Sequence, residues 1–229
     1  MNSKYSNFLT ILLVVIIIAI IAIIGFLGFK FYETSVNKEN SEKFVDTFGD
    51  QSQNNNNNNT SIIPPTTDED ISYEGIEDGN QSNNNNNSTS DNRKIYNGFL
   101  VSGTIVIPAT NLKCPILAQS ECSPKALEAS VVELYGPGLN KVGNTTISGH
   151  NYRNGTFFSN NKKLKVGDRI FITDETGKRL SYTIYDKFEA KENYADYMSR
   201  DTQGAIEISL STCTDDSKAR LIILARADV

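Results

Sequence analysis

The sequence predicts a mostly β domain, a barrel or sandwich, set behind a single apolar helix and a polar connecting stretch. Three observations predict it. An unbroken run of 22 uncharged residues, Phe8 to Phe29, lies near the start of the chain. A low-complexity stretch with two asparagine tracts, Asn54–Asn59 and Asn83–Asn87, follows it. Beyond Arg93 come many short apolar segments at close spacing, separated by turn residues, with only brief helical signals between them. The expected organisation is a transmembrane signal anchor over 1–30, a juxtamembrane segment and disordered Asn-rich tether over 31–92, and one folded domain over 93–229.

At a rise of about 1.5 Å per residue, the apolar run is long enough as a helix to cross a hydrocarbon core of about 30 Å. A cleaved signal peptide is the competing reading. Its apolar region is shorter as a rule and ends at a small-residue site, which Gly25-Phe26-Leu27-Gly28-Phe29-Lys30 does not offer. The polar stretch that follows favours an arrangement with the N-terminus inside and the folded domain outside. Residues 31–48 form a short helix in this reading, with Phe44, Val45 and Phe48 on one side. From Gly49 to Asn92 there are too few apolar residues to offset the entropy of ordering, so a flexible tether is expected.

The formal net charge is −5, and it belongs to the first part of the chain. Residues 1–92 hold 4 basic and 12 acidic side chains, whereas residues 93–229 hold 18 and 15. No Lys/Arg cluster interleaves with aromatic residues, so no nucleic-acid partner is expected. The C-terminal part is long enough for one domain with a real core and short for two.

Within that domain, Gly103–Pro108 reads as a strand stopped by proline, and Leu112–Leu117 as another. Ser123-Pro124 supplies an N-cap and a first-turn proline for a short helix reaching about Val132. Gly136-Pro137-Gly138 is a turn, Thr145–His150 a strand, and Phe157–Leu164 a helical turn. Arg169–Asp174 and Leu180–Phe188 make a hairpin around Glu175-Thr176-Gly177. Asn193–Arg200 is a linker, and Ala205–Cys213 and Ala219–Ala227 are the last two strands.

The chemistry concentrates in Ile206-Glu207-Ile208-Ser209-Leu210-Ser211-Thr212-Cys213. Its period of two puts Ile206, Ile208 and Leu210 on one buried face and Cys213 on the opposite, polar one. A thiol kept only for packing belongs among the isoleucines. A nucleophilic thiol needs a proton acceptor nearby, and the chain has one histidine, His150, also at a strand end. Acyl transfer further needs a group for the developing oxyanion, and Arg220, which follows Cys213 across a turn-rich loop, is best placed. Arg226 shares its parity but lies about 20 Å further along an extended strand. Cys114 and Cys122 either close a small disulfide loop or are two buried thiols.

Ser209-Leu210-Ser211-Thr212-Cys213 resembles the Thr-Leu-x-Thr-Cys signature of sortases, with serine in place of the first threonine. Ile147-Ser148-Gly149-His150-Asn151 is similar to the family's histidine strand, and Arg220 falls where these enzymes keep their arginine. Gly103–Pro108, Cys114–Leu117 and Gly167-Asp168 match in order, so the resemblance covers about residues 95–227 and the anchor. Its subclass lies between class B-like and class D-like. The His150-Asn151 and Gly155–Phe158 patterns resemble class B, but the stretch from Phe188 to Ala205 is short for that class's helical insertion.

The resemblance implies an eight-stranded β-barrel and a membrane-anchored cysteine transpeptidase, single-pass, with its catalytic domain outside a Gram-positive-type cell. Its partners would be secreted proteins bearing a C-terminal Leu-Pro-x-Thr-Gly-like sorting signal, and an amine on a cell-wall precursor. Cys213 would attack the Thr–Gly carbonyl, His150 would be general acid and then base, and Arg220 would hold the oxyanion. Thr212, Ser211 and Asn151 are the expected substrate-binding residues. No metal or other cofactor is required by this chemistry. Two alternatives remain at this level: a cysteine peptidase hydrolysing the same signal, and a tethered domain that binds without catalysis.

Overall fold

The computed structural model of the chain describes residues 3–48 and 94–229. The Asn-rich tether expected before residue 93 therefore lies, from residue 49 on, outside the described residues. Among these residues two α-helices, α1 (Ser3–Phe48) and α2 (Pro124–Ala129), accompany nine strands. These are β1 (Ile95–Tyr96), β2 (Phe99–Ile107), β3 (Leu112–Leu117), β4 (Val131–Tyr135) and β5 (Gly143–Ser148), then β6 (Arg169–Asp174), β7 (Arg179–Lys191), β8 (Ile206–Cys213) and β9 (Ala219–Ala227). Neighbours run β2-β3-β4-β5-β8-β9-β7-β6, and β6 pairs back onto β2, so eight strands close into a barrel with β1 as a short addition at the edge of β2. Closure leaves no unpaired edge around the barrel.

Alternation fills the interior. Ile105 and Ile107 of β2, Ile147 of β5, Ile170 and Ile172 of β6, Ile184 of β7, Ile208 and Leu210 of β8 and Ile223 of β9 form one core cluster. Where β2 bends between β3 and β6, only glycine fits. A Cβ on Gly103 would lie 2.3 Å from the Thr173 carbonyl oxygen and 2.5 Å from Leu139 Cδ1.

Three sequence expectations change here. The helix expected to reach Val132 ends at Ala129, where Ser130 turns extended, and Val131–Tyr135 become β4. β-branched Val131 and Val132 favour a pleated surface over a helix. The juxtamembrane helix is not separate: α1 is continuous from Ser3 to Phe48, and its stretch Ile11–Phe29 is long and apolar enough to cross a membrane. Glu39–Lys43 (2.7 Å) and Lys38–Glu42 (3.8 Å) are i,i+4 ion pairs on its polar part.

The third change concerns β8, whose polar face is also covered. Glu207, Ser209 and Ser211 are all buried, because the segment between β7 and β8 folds across them. The Tyr197 hydroxyl donates to Ser211 Oγ (3.1 Å), and Arg200 donates to Ser209 Oγ (2.9 Å). Asn144 Nδ2 donates to the carbonyls of Tyr197 (3.0 Å) and Met198 (2.9 Å). Glu207, 2% exposed, accepts from Tyr185 Oη (2.8 Å), from Arg226 Nε (2.8 Å) and from Arg200. Burial pushes the Glu207 carboxyl up, but the hydrogen bonds from Arg226, Tyr185 and Arg200 outweigh it and hold the carboxyl below its ordinary range.

A carboxylate held low in the folded state contributes stability above its unfolded pKa, and that contribution is lost as pH falls through the lower, folded value. Glu207→Gln should therefore lower stability at neutral pH by about 2 kcal/mol, since the largely buried Arg200 guanidinium loses its carboxylate while the more exposed Arg226 keeps water. Urea unfolding at pH 7 and at successively lower pH checks this. The gap between the two proteins should be widest at neutral pH and should narrow as pH falls below the ordinary carboxylate range.

Candidate active site

Cys213 ends β8 and Arg220 is the second residue of β9, and the two are direct partners in the antiparallel register. The turn Thr214–Lys218 makes this pairing local: the Thr214 amide donates to the Ala219 carbonyl (3.0 Å), and Thr214 Oγ1 donates to Asp216 Oδ1 (2.6 Å). Arg220 NH1 donates to Cys213 Sγ at 2.9 Å. Its NH2 pairs with Glu192 Oε1 at 2.8 Å, so one guanidinium fork is held from behind while its front meets sulfur.

His150 arrives from the other side. β5 and β8 are parallel, with Ser148 opposite Ser211, so His150 two residues on comes level with Cys213 two residues on. Bonds on both sides of the histidine secure this. The Gly149 amide donates to the Ser211 carbonyl (3.1 Å), and Thr212 Oγ1 donates to the Gly149 carbonyl (2.7 Å). Asn151 Nδ2 donates to the Cys213 carbonyl (3.0 Å) and to Asp215 Oδ1 (3.0 Å). Asp215 is in turn paired with Lys162 at 2.6 Å, and these two partners, Lys162 first, hold its carboxyl below the ordinary range.

The imidazole stacks on Tyr152 with centroids 4.8 Å apart, and Tyr152 meets Phe157 at 5.9 Å. Two non-glycine residues of this loop, Arg153 (φ 60°) and Phe157 (φ 47°), occupy the left-handed region, which is costly for a bulky residue. The contacts that enforce them include the Phe158 amide on the His150 carbonyl (3.2 Å) and Arg153 NH2 on Ser217 Oγ (3.0 Å). At Gly149 there is no room for a side chain: a Cβ would lie 2.7 Å from Val131 Cγ1 and 2.9 Å from Phe158 Cδ2.

The structure thus brings together Cys213, His150 and Arg220, and leaves Arg226 away from them, paired with Glu207. The residues expected to bind substrate make contacts within the protein. Thr212 and Ser211 are buried, with their hydroxyls engaged by Gly149 and Tyr197, and the Asn151 amide is engaged by Cys213 and Asp215. Each is placed to position the strand ends. Glu192, Tyr152 and Asp215 were not singled out from sequence. Glu192 falls just past β7, and only the β7–β9 pairing brings it to Arg220.

All three cysteines are free. Cys114 is buried, which pushes its thiol up to about 12, and Cys122 is exposed. Among the described residues no group of three or more His, Cys, Asp or Glu side chains converges in a way that would hold a metal ion. A cavity of about 350 Å³ opens beside Tyr135, Asn144, Met198 and Arg200, at the start of β5 and so at the end away from His150.

Comparison with known proteins answers to this arrangement. The Sortase domain model matches residues 105–228. Sortase A of Bacillus anthracis is 29% identical over 132 residues, covering 54% of this chain and 58% of that protein, so the chain spans little more than half the length of this relative. Among solved structures, sortase A from Corynebacterium diphtheriae superposes with a TM-score of 0.52 at 26% identity, over 57% of this chain and 62% of that one. A Clostridium perfringens sortase D5 transpeptidase gives 0.51 at 25% identity, over 56% and 79%. Sortase C of Clostridium perfringens, solved with a C-terminal cell wall sorting motif, gives 0.50 at 25%, over 56% and 71%. With the domain model spanning more than half of the sequence, the resemblance carried by Ser209–Cys213 becomes a conclusion: this chain belongs to the sortase family.

Proposed function

We propose that the chain is a membrane-anchored cysteine transpeptidase acting on secreted proteins that carry a Leu-Pro-x-Thr-Gly-like C-terminal sorting signal. The observation that carries this reading is the 2.9 Å contact between Arg220 NH1 and Cys213 Sγ, with His150 brought level by the parallel register. The Cys213 thiol passes its proton to His150 as the sulfur attacks the Thr–Gly carbonyl carbon, and the carbonyl oxygen becomes an oxyanion beside the sulfur, within reach of Arg220. Glu192 keeps that guanidinium aimed, so its donors need little reorganisation as charge develops.

His150 gives a proton to the leaving nitrogen, the C–N bond breaks, and a thioester remains on Cys213. An amine then attacks the thioester carbon, its proton passes to His150, the C–S bond breaks as the new amide forms, and the departing Cys213 thiolate takes that proton back. An amine on a cell-wall precursor suits the family, and Ile11–Phe29 suits an anchor with the barrel outside the cell. Asn151 and Thr212 act indirectly, by locking the histidine loop to the cysteine strand.

Mass spectrometry of the full chain in detergent with sorting-signal peptides, with and without triglycine, tests the reading. Cleavage after threonine and a triglycine adduct are expected, with neither from Cys213→Ala; water-only products with every amine tried would reduce the protein to a hydrolase. Arg220→Ala should lower kcat by about 100- to 1,000-fold, the usual cost of losing an oxyanion donor.

Gly149→Ala tests the positioning of the histidine. Its methyl group must displace Val131 or Phe158, which costs about 1–3 kcal/mol of overpacking. Turnover should fall by more than tenfold while peptide KM changes by less than threefold, as steady-state kinetics would show.

A further inference from the structure

We infer that residues 41–48 of α1 are a fixed part of the catalytic domain, docked on an apolar face of the barrel, so that a continuous helix sets the height of the barrel above the bilayer. This rests on the reading of Ile11–Phe29 as a membrane span. Phe48 is 3% exposed and joins Tyr96, Val101, Leu117, Ala126 and Val132 in a cluster apart from the barrel core. Phe44 packs on the same cluster, with its ring 5.2 Å from that of Tyr96 at 67°.

Polar contacts border this apolar centre. Ser41 Oγ donates to the Lys113 carbonyl (3.2 Å), and Lys113 Nζ pairs with Asp46 (2.9 Å). Lys94 donates to the Phe48 carbonyl and lies 3.9 Å from the centre of the Phe48 ring. These pairings span sequence separations of 46 to 72 residues, so they are tertiary contacts and not local helix geometry.

Two consequences follow. Residues 49–93 join Phe48 to Lys94, and those two flanking residues touch. Whatever path the intervening residues take, they begin and end at one place, so their length cannot set the distance from membrane to barrel. That distance is set instead by the helix from Phe29 to Ser41, about 18 Å at the rise of an α-helix. The sorting signals and amines this domain can use are then those presented close to the bilayer surface.

The test uses the full chain in detergent, with a site for a specific protease inserted among residues 54–59, a tag at the N-terminus and cutting followed to completion. After the cut, the barrel fragment should be retained by the tag on the N-terminal fragment through washing. In Phe44→Asp/Phe48→Asp, retention should fall at least tenfold. Loss of the barrel from the unsubstituted, cut chain at the level of the double variant would overturn the inference, as would undiminished retention in that variant. Vesicle flotation of the uncut chain reports separately on the span: a chain that fails to float refutes the membrane reading while the pull-down still decides docking.

Discussion

β5 and β8 lie side by side and parallel, and the site depends on that register. Ser148 opposite Ser211 is what places His150 beside Cys213, and parallel strands can be neighbours only through a long crossover. Here the chain between them contributes β6 and β7 to the same barrel, so closing the barrel and assembling the site are one event. The opposite relation, Cys213 with Arg220, needs only a tight turn. The proposed nucleophile and the proposed oxyanion donor thus come from a hairpin, while the proposed proton-transfer partner comes from a distant strand.

β8 shows how such a site is kept in place without a wide apolar face. Ile208 and Leu210 bury into the barrel, whereas Glu207, Ser209 and Ser211 are buried under the segment that precedes the strand. Burying polar groups is costly unless each finds a partner, and here each does. Ser209 Oγ donates to Asn144 Oδ1 at 2.9 Å and accepts from Arg200, so the serine that replaces the signature's first threonine keeps a hydroxyl that joins two elements. The network fixes Tyr197 and Arg200 over the strand that carries Cys213, and the loop is thereby part of the scaffold.

How much of this was legible follows from which contacts are local. Alternation in Ile206–Cys213 put the thiol off the core face, and the turn-rich Thr214–Lys218 put Arg220 next to it, both from a single stretch of sequence. The strand of His150 was also legible, but not its pairing, because Asn151 and Cys213 meet across 62 residues. Glu192 was invisible for the same reason: its role exists only once β7 pairs with β9. The polar face of β8 misled, since period two reports alternation and cannot say whether a second layer covers the polar side. Val131 and Val132 followed a capped helix too closely to be separated from it by pattern alone.

The juxtamembrane part of α1 carries the same lesson into function. Phe44 and Phe48 lie four apart on one helix face, which showed in the sequence as an amphipathic turn without a partner. The partner is the patch around Tyr96, Leu117 and Val132, which without the helix would leave apolar surface open to water beside α2. Both surfaces are satisfied by one contact. A helix with an apolar stretch long enough to cross a membrane at one end and domain core at the other has no hinge between the two, because it runs unbroken from Ser3 to Phe48. In the proposed arrangement reach is then a property of helix length, and a change of length in the asparagine-rich stretch leaves Cys213 at the same height, because Phe48 and Lys94 touch.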